Sequence, residues 1–151
     1  MKIVDGIKYK KDLAKHFVAY WNTRKMKYSV KWAENYIETN HRNEIIGGKF
    51  LIAIEDGKIV GSMSVVLWQK DLAELRDFYV KPNYRNKGVG RKLLEATLEF
   101  CKKKNVRKIH AKLFPQYFKF FKEYGFFKEG KLRSHFAEGE HLIIIGKFMK
   151  N

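Results

Sequence analysis

The sequence predicts a single α/β (α+β) domain built on a mixed sheet. Three observations lead there. Apolar residues recur at helical spacing in the first third and again after Gly88, and at strand spacing between and beyond. The chain has 151 residues, the length of one compact domain, with no internal repeat and no Pro-, Gly- or Ser-rich linker. Its composition, 45% hydrophobic and 15% aromatic, supports a buried core and excludes a disordered or fibrous chain.

The elements follow in order. Tyr9 to Trp21 sets Leu13, Phe17 and Tyr20 along one side of a helix, with Trp21 beside them. Ser29 is a candidate N-cap for a second helix through Trp32, Ala33, Tyr36 and Ile37 to about Asn40. Gly47-Gly48 breaks that pattern. Lys49 to Glu55 and Lys58 to Trp68 read as a hairpin about the Asp56-Gly57 turn. Another strand spans Ala73 to Val80 and ends before Pro82. From Gly88 a helix places Leu93, Leu94, Thr97, Leu98 and Cys101 on one side, up to Lys102-Lys103-Lys104. Lys108 to Leu113 is a strand, and Pro115 opens a short aromatic helix through Tyr124, stopped by Gly125. A last strand pair is expected at Phe126 to Arg133 and His141 to Phe148.

The balance of charge and cysteine narrows the function. Thirty-two Lys and Arg against sixteen Asp and Glu give a formal +16. Such a field attracts nucleic acid, anionic surfaces or a phosphate-rich cofactor. The cations are spread along the chain, so a solvated lysine coat competes with a dedicated binding face. One cysteine excludes a disulfide framework and a multi-cysteine metal site, and Cys101 reads as apolar packing. His16, His41, His110 and His141 show no metal-ligand spacing, so no metal is expected. No apolar run reaches the roughly 18 residues of a membrane span, and Met1 to Leu13 shows no export signal. The expectation is a cytoplasmic protein without a membrane partner.

One stretch carries chemistry. A strand runs through Val80-Lys81-Pro82 into Asn83-Tyr84-Arg85-Asn86-Lys87-Gly88-Val89-Gly90-Arg91, where a long helix begins. Unpaired N–H groups in a first helical turn, reinforced by the helix dipole, form an anion cradle. Gly88 and Gly90 admit a phosphate to the backbone, and Arg85, Lys87 and Arg91 add charge. The spacing fits neither the dinucleotide fingerprint nor a nucleotide-hydrolysing phosphate loop.

Arg85-Asn86-Lys87-Gly88-Val89-Gly90 resembles the Gln/Arg-x-x-Gly-x-Gly/Ala signature of the GNAT superfamily of N-acetyltransferases. Phe120-Phe121-Lys122-Glu123-Tyr124-Gly125-Phe126 resembles that family's Phe/Leu-Tyr-x-x-x-Gly-Phe element, and Leu132 to Phe136 with the last strand is similar to its C-terminal end. The likeness covers Lys49 to Lys147. It implies a mostly antiparallel central sheet flanked by helices, residues 1–151 forming one domain, and acetyl transfer from acetyl-CoA to a primary amine, with a small molecule, a protein N-terminus and a lysine side chain all open as acceptor.

The resemblance also implies a site. The pyrophosphate would lie on Arg85, Asn86, Lys87, Gly88, Val89, Gly90 and Arg91, and the pantetheine arm along the backbone of Phe78, Tyr79 and Val80. A strand N–H near Val80 would polarise the thioester carbonyl. Glu74, at the Ala-Glu opening of its strand, matches the basic glutamate of the histone-acetylating branch, with Asp77 in reserve. Uniform alternation puts Glu74, Arg76, Phe78 and Val80 on one face and Leu75, Asp77 and Tyr79 on the other. The family's proton-donating tyrosine corresponds here to Phe121, which has no proton to give. Tyr117, one helical turn earlier, is the candidate acid, ahead of Tyr124 and water. His135 borders the acceptor side. Trp21, Trp32, Tyr36 and Trp68 are candidates for its wall, with core packing an equal reading for Trp32 and Tyr36. A strongly basic enzyme repels polyamines and favours acidic or neutral acceptors unless its groove is locally acidic. The resemblance admits a homodimer. The competing functions are a basic nucleic-acid-binding protein and a non-catalytic CoA-binding protein on the same fold.

Overall fold

The computed structural model describes residues 1–24, 26–41 and 47–149. Strand β1 (Lys2–Asp5) leads into a 3-10 turn at Gly6–Tyr9, where the Asp5 carboxylate accepts from the Ile7 N–H at 3.0 Å. Helix α1 (Lys10–Trp21), a turn at Asn22–Arg24 and helix α2 (Val30–His41) follow. Ser29 caps α2 by accepting from the Trp32 N–H at 3.1 Å. Strands β2 (Gly48–Glu55), β3 (Lys58–Gln69) and β4 (Leu72–Val80) form a meander. Helix α3 (Val89–Lys103), strand β5 (Lys108–Leu113), helix α4 (Phe118–Lys122) and strands β6 (Phe127–Ala137) and β7 (Glu140–Phe148) complete the chain.

The seven strands form one sheet in the order β1-β2-β3-β4-β5-β7-β6. Every neighbouring pair is antiparallel except β4 and β5. Alternation along β2 shows how the sheet divides two cores: Phe50 and Ile52 pack with Leu13 and Phe17 of α1 and Ala33 and Ile37 of α2, while Leu51 and Ala53 pack with Leu93, Leu94 and Cys101 of α3.

Three boundaries differ from the sequence reading. Strand β1 was not predicted, because Lys2–Asp5 is too short to display a period and is recruited by pairing with Leu51–Ile54. The aromatic helix expected from Pro115 to Tyr124 is a 3-10 turn at Pro115–Tyr117 followed by the short α4; Gly125, at φ +86°, turns the chain out of it. Strand β6 continues past Arg133 to Ala137, with its ladder to β7 interrupted between Leu132 and Ala137.

A larger correction lies inside β4. Ser62 and Ser64 of β3 face Tyr79 and Arg76, so three steps on β4 oppose two on β3, and Asp77 stands at φ +55°. This is a β-bulge, and it resets the alternation. Phe78 and Val80 therefore pack with Leu75 on the α3 side rather than sharing the face of Glu74. Asp77 and Tyr79 turn toward α1 and α2, where Tyr79 stacks on Tyr20 with ring centroids 4.7 Å apart.

Candidate functional site

The site begins where the sheet parts. The β4–β5 ladder holds Leu72 through Leu75 against Lys108 through Ala111 and stops there, although both strands run on. Beyond that point, among the described residues, β4 pairs only with β3. Lys81 N–H donates to the Val60 carbonyl at 2.9 Å, so strand alternation turns the backbone polar groups of Val80 and Phe78 away from β3, toward the opening. The Val80 carbonyl accepts there from Arg85 Nε at 2.9 Å.

Two clefts flank this opening. One, of about 290 Å³, is lined by Phe78, Tyr79, Val80, Arg85, Asn86, Gly88, Val89, Gly90 and Arg91, together with Tyr84, Tyr117 and Phe120. Of the ten residues expected along the donor, only Lys87 is not in this lining; its ammonium lies 5.8 Å from the Tyr84 ring centroid. Gly88 sits at φ +82°, a backbone that side chains rarely adopt. A Cβ on Gly90 would come within 3.1 Å of the Phe78 ring, so glycine there sets how closely α3 approaches the cleft wall.

The second cleft, of about 230 Å³, opens on the other side of the parting. Its apolar walls include Trp21, Leu75, Phe114, Phe121, Phe136 and Leu142, and its polar groups come from Tyr20, Arg24, Arg76, Asp77, Lys112 and Tyr117. Phe78 and Tyr117 line both clefts and mark where they meet. Tyr117 is 38% exposed, so its side chain remains open to solvent.

The two candidate carboxylates occupy different settings. Glu74 is buried and lines neither cleft. Its carboxylate accepts from Arg76 Nε and, at 2.7 Å, from Trp68 Nε1, with His110 Nε2 at 3.9 Å. Burial pushes the Glu74 carboxyl up, but those hydrogen bonds and the Arg76 charge outweigh it and hold the group below its ordinary range. Asp77 lines the second cleft and accepts from the Tyr36 hydroxyl at 2.8 Å. Burial raises the Asp77 carboxyl, and the opposing pull of Tyr36 and Arg76 does not cancel it.

The bulge is braced from behind. The Ser62 hydroxyl donates to the Asp77 carbonyl at 2.8 Å and lies 3.0 Å from His16 Nε2. Ser62 therefore accepts from His16, which carries its proton on Nε2, while the buried Nδ1 has no partner among the described residues. Burial, with help from Lys81, brings the His16 pKa down to about 4. Burial likewise pushes the Tyr20 hydroxyl up to about 12, aided by the Asp77 charge.

The remaining candidates disperse. Tyr124 lines neither cleft, and Phe121 packs edge-on against Phe78 in the wall of the second. His135 is exposed and outside both linings; its neighbour Phe136 turns inward instead. Trp21 lines the second cleft, whereas Trp32 is an exposed ring stacked on Tyr36 and Trp68 holds Glu74. Cys101 is buried in the α3 core, and burial pushes its thiol up to about 12. The side chain of His41 lies outside the described residues. Among the described residues, no three His, Cys, Asp or Glu side chains come together as a metal site, and no helix is long and apolar enough to cross a membrane. Sequence reasoning missed Tyr20, Arg24, Lys112, Phe114 and Phe136 as site residues. Tyr20 was visible only as part of a helix's apolar side, and the others carry no local signal.

The acetyltransferase (GNAT) family profile matches residues 10–126. No curated sequence relative matches. Among solved structures, the ribosomal-protein-alanine N-acetyltransferase of Brucella melitensis superposes with a TM-score of 0.81 at 19% identity, covering 99% of this chain and 100% of that one. An aminoglycoside 6'-N-acetyltransferase complexed with coenzyme A gives 0.83 at 12% identity, with 100% and 98% covered. A GNAT family acetyltransferase from Elizabethkingia anophelis with acetyl-CoA bound gives 0.64 at 17% identity, over 76% of this chain and 82% of that one. At these identities the likeness is one of fold.

Proposed function

The chain belongs to the GNAT family of acetyltransferases, and on that premise we propose that it moves an acetyl group from acetyl-CoA in the first cleft to a primary amine in the second. The observation that carries this reading is the meeting of the two clefts at Phe78 and Tyr117, beside a strand edge without a ladder partner. The relatives with bound coenzyme A and acetyl-CoA support the donor.

Each residue then has a task. The free N–H groups at the start of α3, with Arg85 and Arg91, hold the pyrophosphate. The outward-facing backbone of Phe78 and Val80 pairs with the pantetheine amides in the manner of an added strand. The Val80 N–H donates to the thioester oxygen as negative charge gathers on it. A protonated amine has no lone pair to attack with, so the site must first take its proton. Asp77 takes it, because Asp77 lines the acceptor cleft and its carboxyl is raised toward the working range. Glu74, stabilised as an anion by Arg76 and Trp68, is the weaker base and lines neither cleft; its task is to orient Arg76. The amine nitrogen bonds to the acetyl carbon as the carbon–sulfur bond breaks, and the departing thiolate receives a proton from the Tyr117 hydroxyl, which recovers one from water.

Calorimetric titration with acetyl-CoA tests the donor site. Micromolar binding is expected, weakened at least about tenfold by Arg91→Gln or by Gly90→Val. Absence of binding to the unaltered protein, or binding indifferent to both substitutions, overturns the reading.

A further inference from the structure

The charges in the acceptor cleft bear on what enters it. Among the described residues of its lining, Arg24, Arg76 and Lys112 face Asp77, three cations to one carboxylate. Two of the three have an acidic neighbour outside the lining. Arg76 is held by Glu74, and Arg24 lies over the Phe114 ring with Glu140 at a long 3.9 Å. Lys112 is exposed and has no ion-pair partner among the described residues. An ammonium with no other charge therefore meets Asp77 but leaves the positive field of Lys112 unanswered. That field also opposes polyamines at a distance, since the whole chain carries a formal +16. An anionic group on the same molecule reverses the balance, meeting Lys112 and the free donors of Arg24 while the amine faces Asp77. The remaining walls are apolar and aromatic, and about 230 Å³ takes a compact apolar body.

Resting on the acetyltransferase reading above, we infer that the acceptor is a small primary amine that carries a carboxylate on an apolar body, an amino-acid-like compound rather than a polyamine. Lys112 and Arg24 determine that specificity, and Asp77 receives the ammonium end.

The test uses probes that share one body and differ in charge. CoA release is followed at saturating acetyl-CoA with L-phenylalanine, L-phenylalaninamide, 2-phenylethylamine and spermidine. The expected kcat/KM for L-phenylalanine exceeds that for the amide and the phenylethylamine by about tenfold or more, the worth of one good charge-assisted contact. Lys112→Gln, at an exposed position that leaves packing intact, brings the carboxylate-to-amide ratio toward one, and Arg24→Gln does the same. Equal or better turnover of the amide, of 2-phenylethylamine or of spermidine overturns the inference, as does failure to acetylate L-phenylalanine by protein that binds acetyl-CoA. A ratio insensitive to Lys112→Gln and Arg24→Gln also overturns it. Protein that does not bind acetyl-CoA in the calorimeter fails the transferase reading itself, which separates the two.

Discussion

Asp77 combines a raised carboxyl, a left-handed backbone and a place in the second cleft, the proposed acceptor site. Its ionised form is disfavoured by folding, so Asp77→Asn, which keeps an oxygen for the Tyr36 hydroxyl, relieves a cost at neutral pH. The expected result is a urea midpoint that holds or rises while kcat falls by about a hundredfold or more, measured on the same preparation. The acid limb of the rate profile, set above the ordinary aspartate value by the raised carboxyl, disappears in that variant. His16 gives a second measurement at this scale. Its folded pKa, about 4, lies below the ordinary 6.5, so the unfolded chain takes up the proton first as the solution is acidified. Stability present above pH 6.5 is then lost as the pH falls through that window toward 4, by about 3 kcal/mol from this one group. Urea unfolding at pH 7 and pH 4.5 reads the loss, and His16→Gln removes its contribution to the slope.

At the scale of elements, the first turn of α3 and the loop before it were legible because their signals are local. Two glycines, three cations and a change of period fall within a few residues, and the structure gathers nearly all of them around one cleft. The bulge in β4 was not legible. Nothing in Arg76-Asp77-Phe78 announces a positive φ, and strict alternation then assigned Phe78 and Val80 to the face of Glu74. The error falls on the reserve base, since the bulge turns Asp77 toward Tyr36 and into the second cleft. The acceptor walls were illegible for a different reason. Arg24, Phe114 and Phe136 come from the turn after α1, the first residue past β5 and the irregular end of β6, and only folding brings them together. Short edge strands such as β1 depend in the same way on the partner that recruits them.

Across the whole molecule, the parted sheet has a mechanical meaning. Strands β1 to β4 and strands β5 to β7 are joined, within the sheet, by one short parallel ladder between Leu72–Leu75 and Lys108–Ala111. The molecule is in this respect two leaves on a short spine, with the pages open where the donor arm is proposed to lie. A ligand lying along β4 acts as a bookmark that stiffens the spine, and its binding energy appears as added stability. Amide exchange at Phe78 and Val80 is therefore expected to slow on adding acetyl-CoA, and the rise in melting temperature to follow ligand concentration. If acetyl-CoA is that ligand, a cell rich in it would keep more of this chain folded and resistant to proteolysis than a starved one, so the lifetime of the protein would itself report the supply of its proposed donor.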